Sequence, residues 1–219
     1  MPCRQAGVPP DESMRNSTMP RIHGLPVPAL FPESGLVSVM LFGEAPGPRG
    51  ADQSGIPFWG DGAGMSVYRA LAATGRAEVP AAAWEDWSGA RFKALDLRPR
   101  LIGTALSNAF PACPTQDGEH FHSPSDRDLL APDNLARLTA ELTRAAEGGF
   151  LPVRVIAFGK RAEWVLSRLP GGPALDLRTL PHPSAQGLLQ GAPGRGKGLR
   201  LVDLRAEWQA QLEDLLSGP

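Results

Sequence analysis

Three places in this chain put a reactive or hydrogen-bonding side chain directly after a short apolar run. Val37 to Phe42 leads into Gly43-Glu44-Ala45-Pro46-Gly47, Leu101 to Leu106 into Ser107-Asn108, and Leu175 to Leu180 into Pro181-His182-Pro183-Ser184. The runs have the length and composition of strands, and the glycines and prolines beyond them force turns. In an open α/β sheet, ligands bind outside the carboxyl ends of the strands, so the three residues belong along one edge. Glu44 is the first side chain of its loop able to do proton or charge chemistry, and Asn108 offers one acceptor and two donors. Each also has a structural reading: Glu44 as a turn cap or an arginine's partner, Asn108 as a turn residue, His182 as a packed histidine. The joint order, not any single residue, points to chemistry.

The elements that must position these residues alternate along the chain. Val153 to Phe158 reads as a strand beside the three above, and Leu199 to Leu204 as a further strand candidate. Helical spacing covers Met65 to Thr74, stopped by Gly75, and its N-terminus would point amides toward the site, which suits a DNA phosphate. Asp133 reads as the cap of a helix carrying Leu135, Leu138 and Leu142 and ending at Gly148-Gly149. Trp164 to Leu169 and Leu204 to Leu216 form two more stripes, while Trp84, Trp87 and Phe92 read as packing aromatics in a helical excursion over Ala81 to Leu95. Strands alternating with helices predict a three-layer α/β/α fold around a central, mainly parallel four-stranded sheet. Before it, residues 1–34 form a proline-rich arm, with Pro9, Pro10, Pro20, Pro26, Pro28 and Pro32 breaking every helix or central strand. The arm is expected to be partly disordered at its start, with Ile22 to Phe31 lying across a catalytic domain of residues 35–219.

Composition narrows the function classes. With 219 residues and 42% hydrophobic content the chain can bury a sizeable core as one domain. A formal charge of -1 leaves no global footprint for nucleic acid, so a polyanion must be met by a local patch. Arg195, Lys197, Arg200 and Arg205 against Asp203 form such a patch, or else a solvated basic loop. Two cysteines, Cys3 and Cys113, stand in no metal-ligand spacing, which argues against a disulfide framework and fits the cytoplasm. No apolar run approaches membrane-spanning length, and the N-terminus lacks the apolar core of a secretion signal. Cys113, His120 and His122 share a loop-like segment, Pro111 to Pro132, but no fourth ligand is evident, so the histidines read as solvated and no metal is expected. Gly159-Lys160 lacks the upstream glycine and the following hydroxyl of a phosphate loop, which counts against a nucleotide-phosphate hydrolase.

Four motifs in order, Gly43-Glu44-Ala45-Pro46-Gly47, Gly55-Ile56-Pro57-Phe58-Trp59-Gly60, Ser107-Asn108 and His182-Pro183-Ser184, resemble those of the uracil-DNA glycosylase superfamily, most nearly its thermophile-type branch. The resemblance spans roughly Val37 to Gln190. It implies a monofunctional DNA glycosylase, without a cofactor, that flips uracil out of DNA and hydrolyses its N-glycosidic bond to leave an abasic site. By the same resemblance Phe58 stacks on the flipped base with Ala45 beside it, and Asn108 pairs with the O4 and N3–H edge. His182 would donate to O2 as the base leaves with negative charge, and Glu44, with Asp52 behind it, would face the oxocarbenium-like sugar and its water. Leu188 or Leu189 would wedge into the vacated stack, or else pack locally, while Ser184, Arg195 and Lys197 would contact the DNA. The branch carries four cysteines for an iron–sulfur cluster; this chain has two, so no cluster is expected. The expected partner is uracil-containing DNA, met by a monomer. The competing expectations are a catalytically weak relative that binds damaged DNA without excision, and a glycosylase for another deaminated base such as hypoxanthine.

Overall fold

A computed structural model describes residues 22–33, 35–147 and 150–218. The expected disorder at the start of the arm and the glycine stop at Gly148-Gly149 lie outside those residues. In chain order the elements are β1 (Ile22–His23), β2 (Val39–Gly43), α1 (Ala51–Ser54), α2 (Gly62–Ala73), β3 (Ala77–Glu78), α3 (Gly89–Ala94), β4 (Arg100–Leu101) and β5 (Thr104–Asn108). There follow β6 (Pro114–Thr115), α4 (Asp126–Leu129), α5 (Pro132–Glu147), β7 (Val153–Phe158), α6 (Lys160–Leu166), β8 (Leu175–Leu180), α7 (Ala185–Gly191) and α8 (Leu201–Ser217).

Because side chains alternate along a strand, a sheet covered on both faces needs apolar residues at successive positions. On one face Val39, Leu41, Leu106, Ile156 and Phe158 pack with Tyr68 and Leu71 of α2 and Trp208 and Leu212 of α8. On the other, Met40, Phe42, Ala105, Val155 and Ala157 pack with Leu138 and Leu142 of α5 and Val165 of α6. The result is a three-layer α/β/α fold around a four-stranded sheet, order β5-β2-β7-β8, with every neighbouring pair parallel. From β2 the chain moves outward to β5 and then crosses to β7 on the opposite side. Connections therefore leave in opposite directions between β2 and β7, and the crevice forms there.

The arm between Ile22 and Phe31 runs along the outer edge of β5. Leu30 and Leu106 exchange two backbone hydrogen bonds of 2.8 Å, Val27 N–H donates to Pro111 O at 2.8 Å and Gly24 N–H to Cys113 O at 3.1 Å. These bonds cover an edge that would otherwise expose unpaired backbone groups.

Three local expectations need correction. Leu199 to Leu204 is no strand: α8 begins at Leu201, and Leu204 joins Trp208 and Leu212 on its buried stripe. So short an apolar run cannot separate the two periods. Asp133 lies inside the first turn of α5 rather than capping it, since Ala131 O already accepts from Leu135 N–H at 3.0 Å. The segment Pro111 to Pro132 is not simply loop: it contains β6 and α4, the latter closed by a reciprocal Ser125–Asp128 cap. Over Ala81 to Leu95 a 3-10 turn at Ala81–Trp84 precedes α3, and Phe92 and Trp87 surround the fully buried Trp59, with ring centroids 4.4 and 4.8 Å away.

Candidate active site

The crevice is a cleft of about 1250 Å³ whose walls include Glu44, Ala45, Phe58, Asn108 and His182. Parallel pairing places Gly43 opposite Asn108, so the two strand ends finish level. Gly43 is required there: a Cβ would stand 2.5 Å from Asn108 Oδ1 and 2.7 Å from Phe58 Cε1. Its absence lets the amide and the ring meet over the sheet edge. Asn108 is 3% exposed, and its Nδ2 has no hydrogen-bond partner. A buried donor left in that state costs about 1–3 kcal/mol, a cost that an acceptor on a ligand removes. Phe58 holds a left-handed backbone, φ 59, and its ring meets Phe158 edge to face at 5.5 Å. Non-glycine residues hold that conformation only when their surroundings impose it. Gly64, in the first turn of α2, lies so close to the Phe58 carbonyl that no side chain would fit.

A polar cluster on α5 fixes the end of β5 from behind. Arg137 Nη2 donates to the carbonyls of Asn108 at 2.9 Å and Ala109 at 3.2 Å, while Nη1 pairs with Glu141 Oε1 at 2.6 Å. Ser107 Oγ donates to Glu141 Oε2 at 2.6 Å, and Asn134 Nδ2 to Ala109 O at 2.9 Å. The strand end leaves the sheet's hydrogen-bond ladder, and this cluster satisfies its carbonyls.

Glu44 and Arg161 face one another across the switch point between β2 and β7. Arg161 Nε lies 3.9 Å from Glu44 Oε1, and neither atom has a hydrogen-bond partner. The other guanidinium nitrogens are committed, Nη1 to Asp126 Oδ1 and Nη2 to Pro124 O, both at 2.6 Å. Thus the carboxylate does meet an arginine, yet the oxygen that faces it, Oε1, is buried without a hydrogen bond, in a residue that lines the cleft. Arg161 escaped sequence reading because the partnership spans two crossover connections. The only signal was the basic pair directly after the third strand.

His182 is held from three sides. Trp208 Nε1 donates to Pro181 O at 2.8 Å, Ser184 N–H donates to His182 Nδ1 at 3.2 Å, and Gly187 packs against the histidine, where a Cβ would stand 2.8 Å from His182 Cβ. With Nδ1 accepting, the neutral ring carries its proton on Nε2. Burial pushes the imidazole down to about 4, so the ring is uncharged at neutral pH.

Other expected site residues stand elsewhere. Asp52 does not line the cleft: it sits on α1 with its carboxylate against Gly24, where burial raises its pKa. The aspartate that does line the cleft is Asp61, whose Oδ1 accepts from Gly64 N–H at 2.7 Å as the cap of α2. Burial raises its pKa against the pull of those amides, and its carboxylate occupies the helix N-terminus that was expected to receive a phosphate. Ser184 lines the cleft but serves as the cap of α7, accepting from Gly187 N–H at 3.1 Å. Leu188 is 4% exposed and belongs to the core, and Leu189 packs on Gly196, so neither stands free as a wedge. Arg195 and Lys197 are exposed but outside the cleft, whereas Arg49, Lys160 and Arg205 are exposed along it. Trp59 points into the core, donating from Nε1 to Leu97 O at 2.9 Å.

His120 and His122 are exposed on the cleft wall while Cys113 is buried, its thiol pushed up to about 12 chiefly by burial. Among the described residues no group of three or more His, Cys, Asp or Glu side chains is placed to hold a metal ion. No helix among the described residues is long and apolar enough to cross a membrane.

The cleft thus gathers an unpaired amide, a neutral imidazole, a carboxylate and an aromatic ring from four separate stretches of the chain. A family model described as the uracil DNA glycosylase superfamily matches residues 33–197, which contain all four. No curated protein matches the chain. By that match and this fold, the chain belongs to the uracil DNA glycosylase superfamily, DNA glycosylases that hydrolyse the bond between a base and its sugar.

Proposed function

We propose that this chain excises uracil from DNA hydrolytically, leaving an abasic site without cutting the strand. The observation that carries the reading is the unpaired Asn108 amide, buried beside Phe58 in the cleft. An amide reads a base edge that offers an acceptor next to an N–H donor, as O4 and N3–H of uracil do; cytosine presents the reverse pair. A base reaches such a pocket only by leaving the stack, and the Phe58 ring offers it a new stacking surface. As the C1′–N1 bond breaks, its electron pair moves onto the pyrimidine, and the Nε2–H of neutral His182 stabilises the charge at O2. The carboxylate of Glu44 faces the positive charge left on the sugar and orients the water that adds to C1′. Hypoxanthine presents the same acceptor and N–H pair, and a cleft of about 1250 Å³ has room for a purine, so it is the second substrate to assay.

The test is base release from labelled oligonucleotides containing U·G, U·A, single-stranded uracil or hypoxanthine, followed by alkali to reveal abasic sites. Wild-type protein is expected to release uracil, and Asn108→Ala and His182→Ala each to lower the single-turnover rate by about two orders of magnitude or more while remaining folded. Absence of base release from all four substrates by protein that still binds DNA would overturn the reading in favour of a binding protein. Near-normal rates in both variants would overturn the site.

A further inference from the structure

Removing a base from the stack leaves a gap, and proteins that distort duplex DNA frequently insert an apolar side chain between base steps. The helix after the histidine motif supplies none here, since Leu188 is in the core and Leu189 is packed on Gly196. Several large apolar side chains stand exposed among the described residues, but of these only Phe121 lines the cleft. It is 40% exposed, although a phenyl ring gains most by burial. Nor does it hang on a slack loop. Thr115 and Phe121 form an antiparallel bridge, His122 N–H donates to Pro114 O at 2.8 Å, and Asp117 Oδ1 accepts from the amides of Glu119 at 2.9 Å and His120 at 2.8 Å. The ring is presented on a braced hairpin, so little conformational entropy remains to be lost on contact. Beside it, His120 pairs with Asp117 at 2.5 Å, a bond that raises its pKa and favours the cationic ring. The pair ties the His120 side chain to the turn that carries Phe121.

We propose that Phe121 is the wedge: its ring enters the duplex stack vacated by the nucleotide that moves into the cleft. This rests on the glycosylase reading above, and its consequence is specific to duplex DNA. Single-stranded uracil has no opposing stack to fill.

Two variants and two readouts test it. Phe121→Ala, at an exposed position, is expected to fold normally and to lower kcat/KM on duplex uracil by about 10- to 100-fold, the worth of one base–aromatic stack. Single-stranded uracil should change by less than about twofold. Phe121→Leu should retain most duplex activity. Equal losses on the two substrates, as a ring stacked on the flipped base itself would give, overturn the proposal, as does an unchanged duplex rate. The second readout needs no catalysis: a duplex with a tetrahydrofuran abasic site beside 2-aminopurine should change fluorescence on binding wild-type protein, and much less on binding Phe121→Ala. Identical changes overturn the wedge. A wild-type protein that gives the change without releasing base would leave the wedge standing and remove the excision reading alone.

Discussion

Burial decides what His182 can do. An imidazole pushed down to about 4 is a neutral donor at physiological pH, and a base leaving with negative charge can accept from it without a full proton transfer. The same burial leaves a mark on stability. The folded-state pKa lies below the unfolded value of 6.5, so between about 4 and 6.5 the unfolded chain binds the proton that the folded chain refuses. His182 therefore destabilises the fold progressively as pH falls through that window, and has no such effect above it. Urea midpoints measured from pH 7.5 to 4 should fall more steeply for wild type than for His182→Asn, which cannot titrate. Asp52 and Asp61 shift the other way, with folded pKa values raised by burial, but both are present in the two proteins and cancel in the comparison. Parallel curves would mean that the ring is not buried as described.

The amide of Asn108 acts from the end of a strand, and a strand end is only as exact as what holds it. The parallel register with Gly43 fixes its height, and the Arg137 cluster on α5 fixes its direction. Arg137 does not itself line the cleft and is a positioning residue, acting through the backbone of Asn108. Arg137→Met keeps the stem but removes the donor to the Asn108 carbonyl and to Glu141 Oε1, at a cost to stability of about 3 kcal/mol. The expected signature is a kcat reduced about tenfold with KM nearly unchanged, because a misdirected amide loses its effect mainly where alignment matters most. Arg137→Lys keeps the charge without the planar fork, so it should recover part of the stability and little of the kcat. Melting curves and steady-state kinetics on the same preparations separate the two effects. A folded Arg137→Met with wild-type kcat would reduce the cluster to a scaffold.

At the scale of the molecule, what was legible in the chain follows from where its information is local. The strand runs stood out because a parallel sheet covered on both faces leaves apolar residues at nearly every position, and Glu44, Asn108 and His182 stood out because each directly follows such a run. Arg161 and Arg137 did not, since each finds its partner across a crossover that no periodicity encodes. Leu199–Leu204 misled, and Leu188 stayed open between wedge and packing, for the opposite reason: a short apolar run looks the same whether it packs, pairs or projects. The basic segment is a different case. Its charge density suggested a DNA contact at Arg195 and Lys197, which are exposed but outside the cleft, whereas Arg49, Lys160 and Arg205 are exposed along it, with no ion pair among the described residues. Arg161 is not a fourth, because Asp126, Pro124 and Glu44 already engage its guanidinium. A protein of net charge -1 then binds a polyanion through about three local cations, and log Kd against log salt should have a slope near 3, each phosphate contact contributing about 0.9. Alanine at Arg49, Lys160 or Arg205 should each lower that slope by about 1, whereas the double variant Arg195→Ala, Lys197→Ala should leave it unchanged. The opposite pattern in fluorescence-anisotropy titrations would move the DNA path off the cleft and onto the segment that the charge density first suggested.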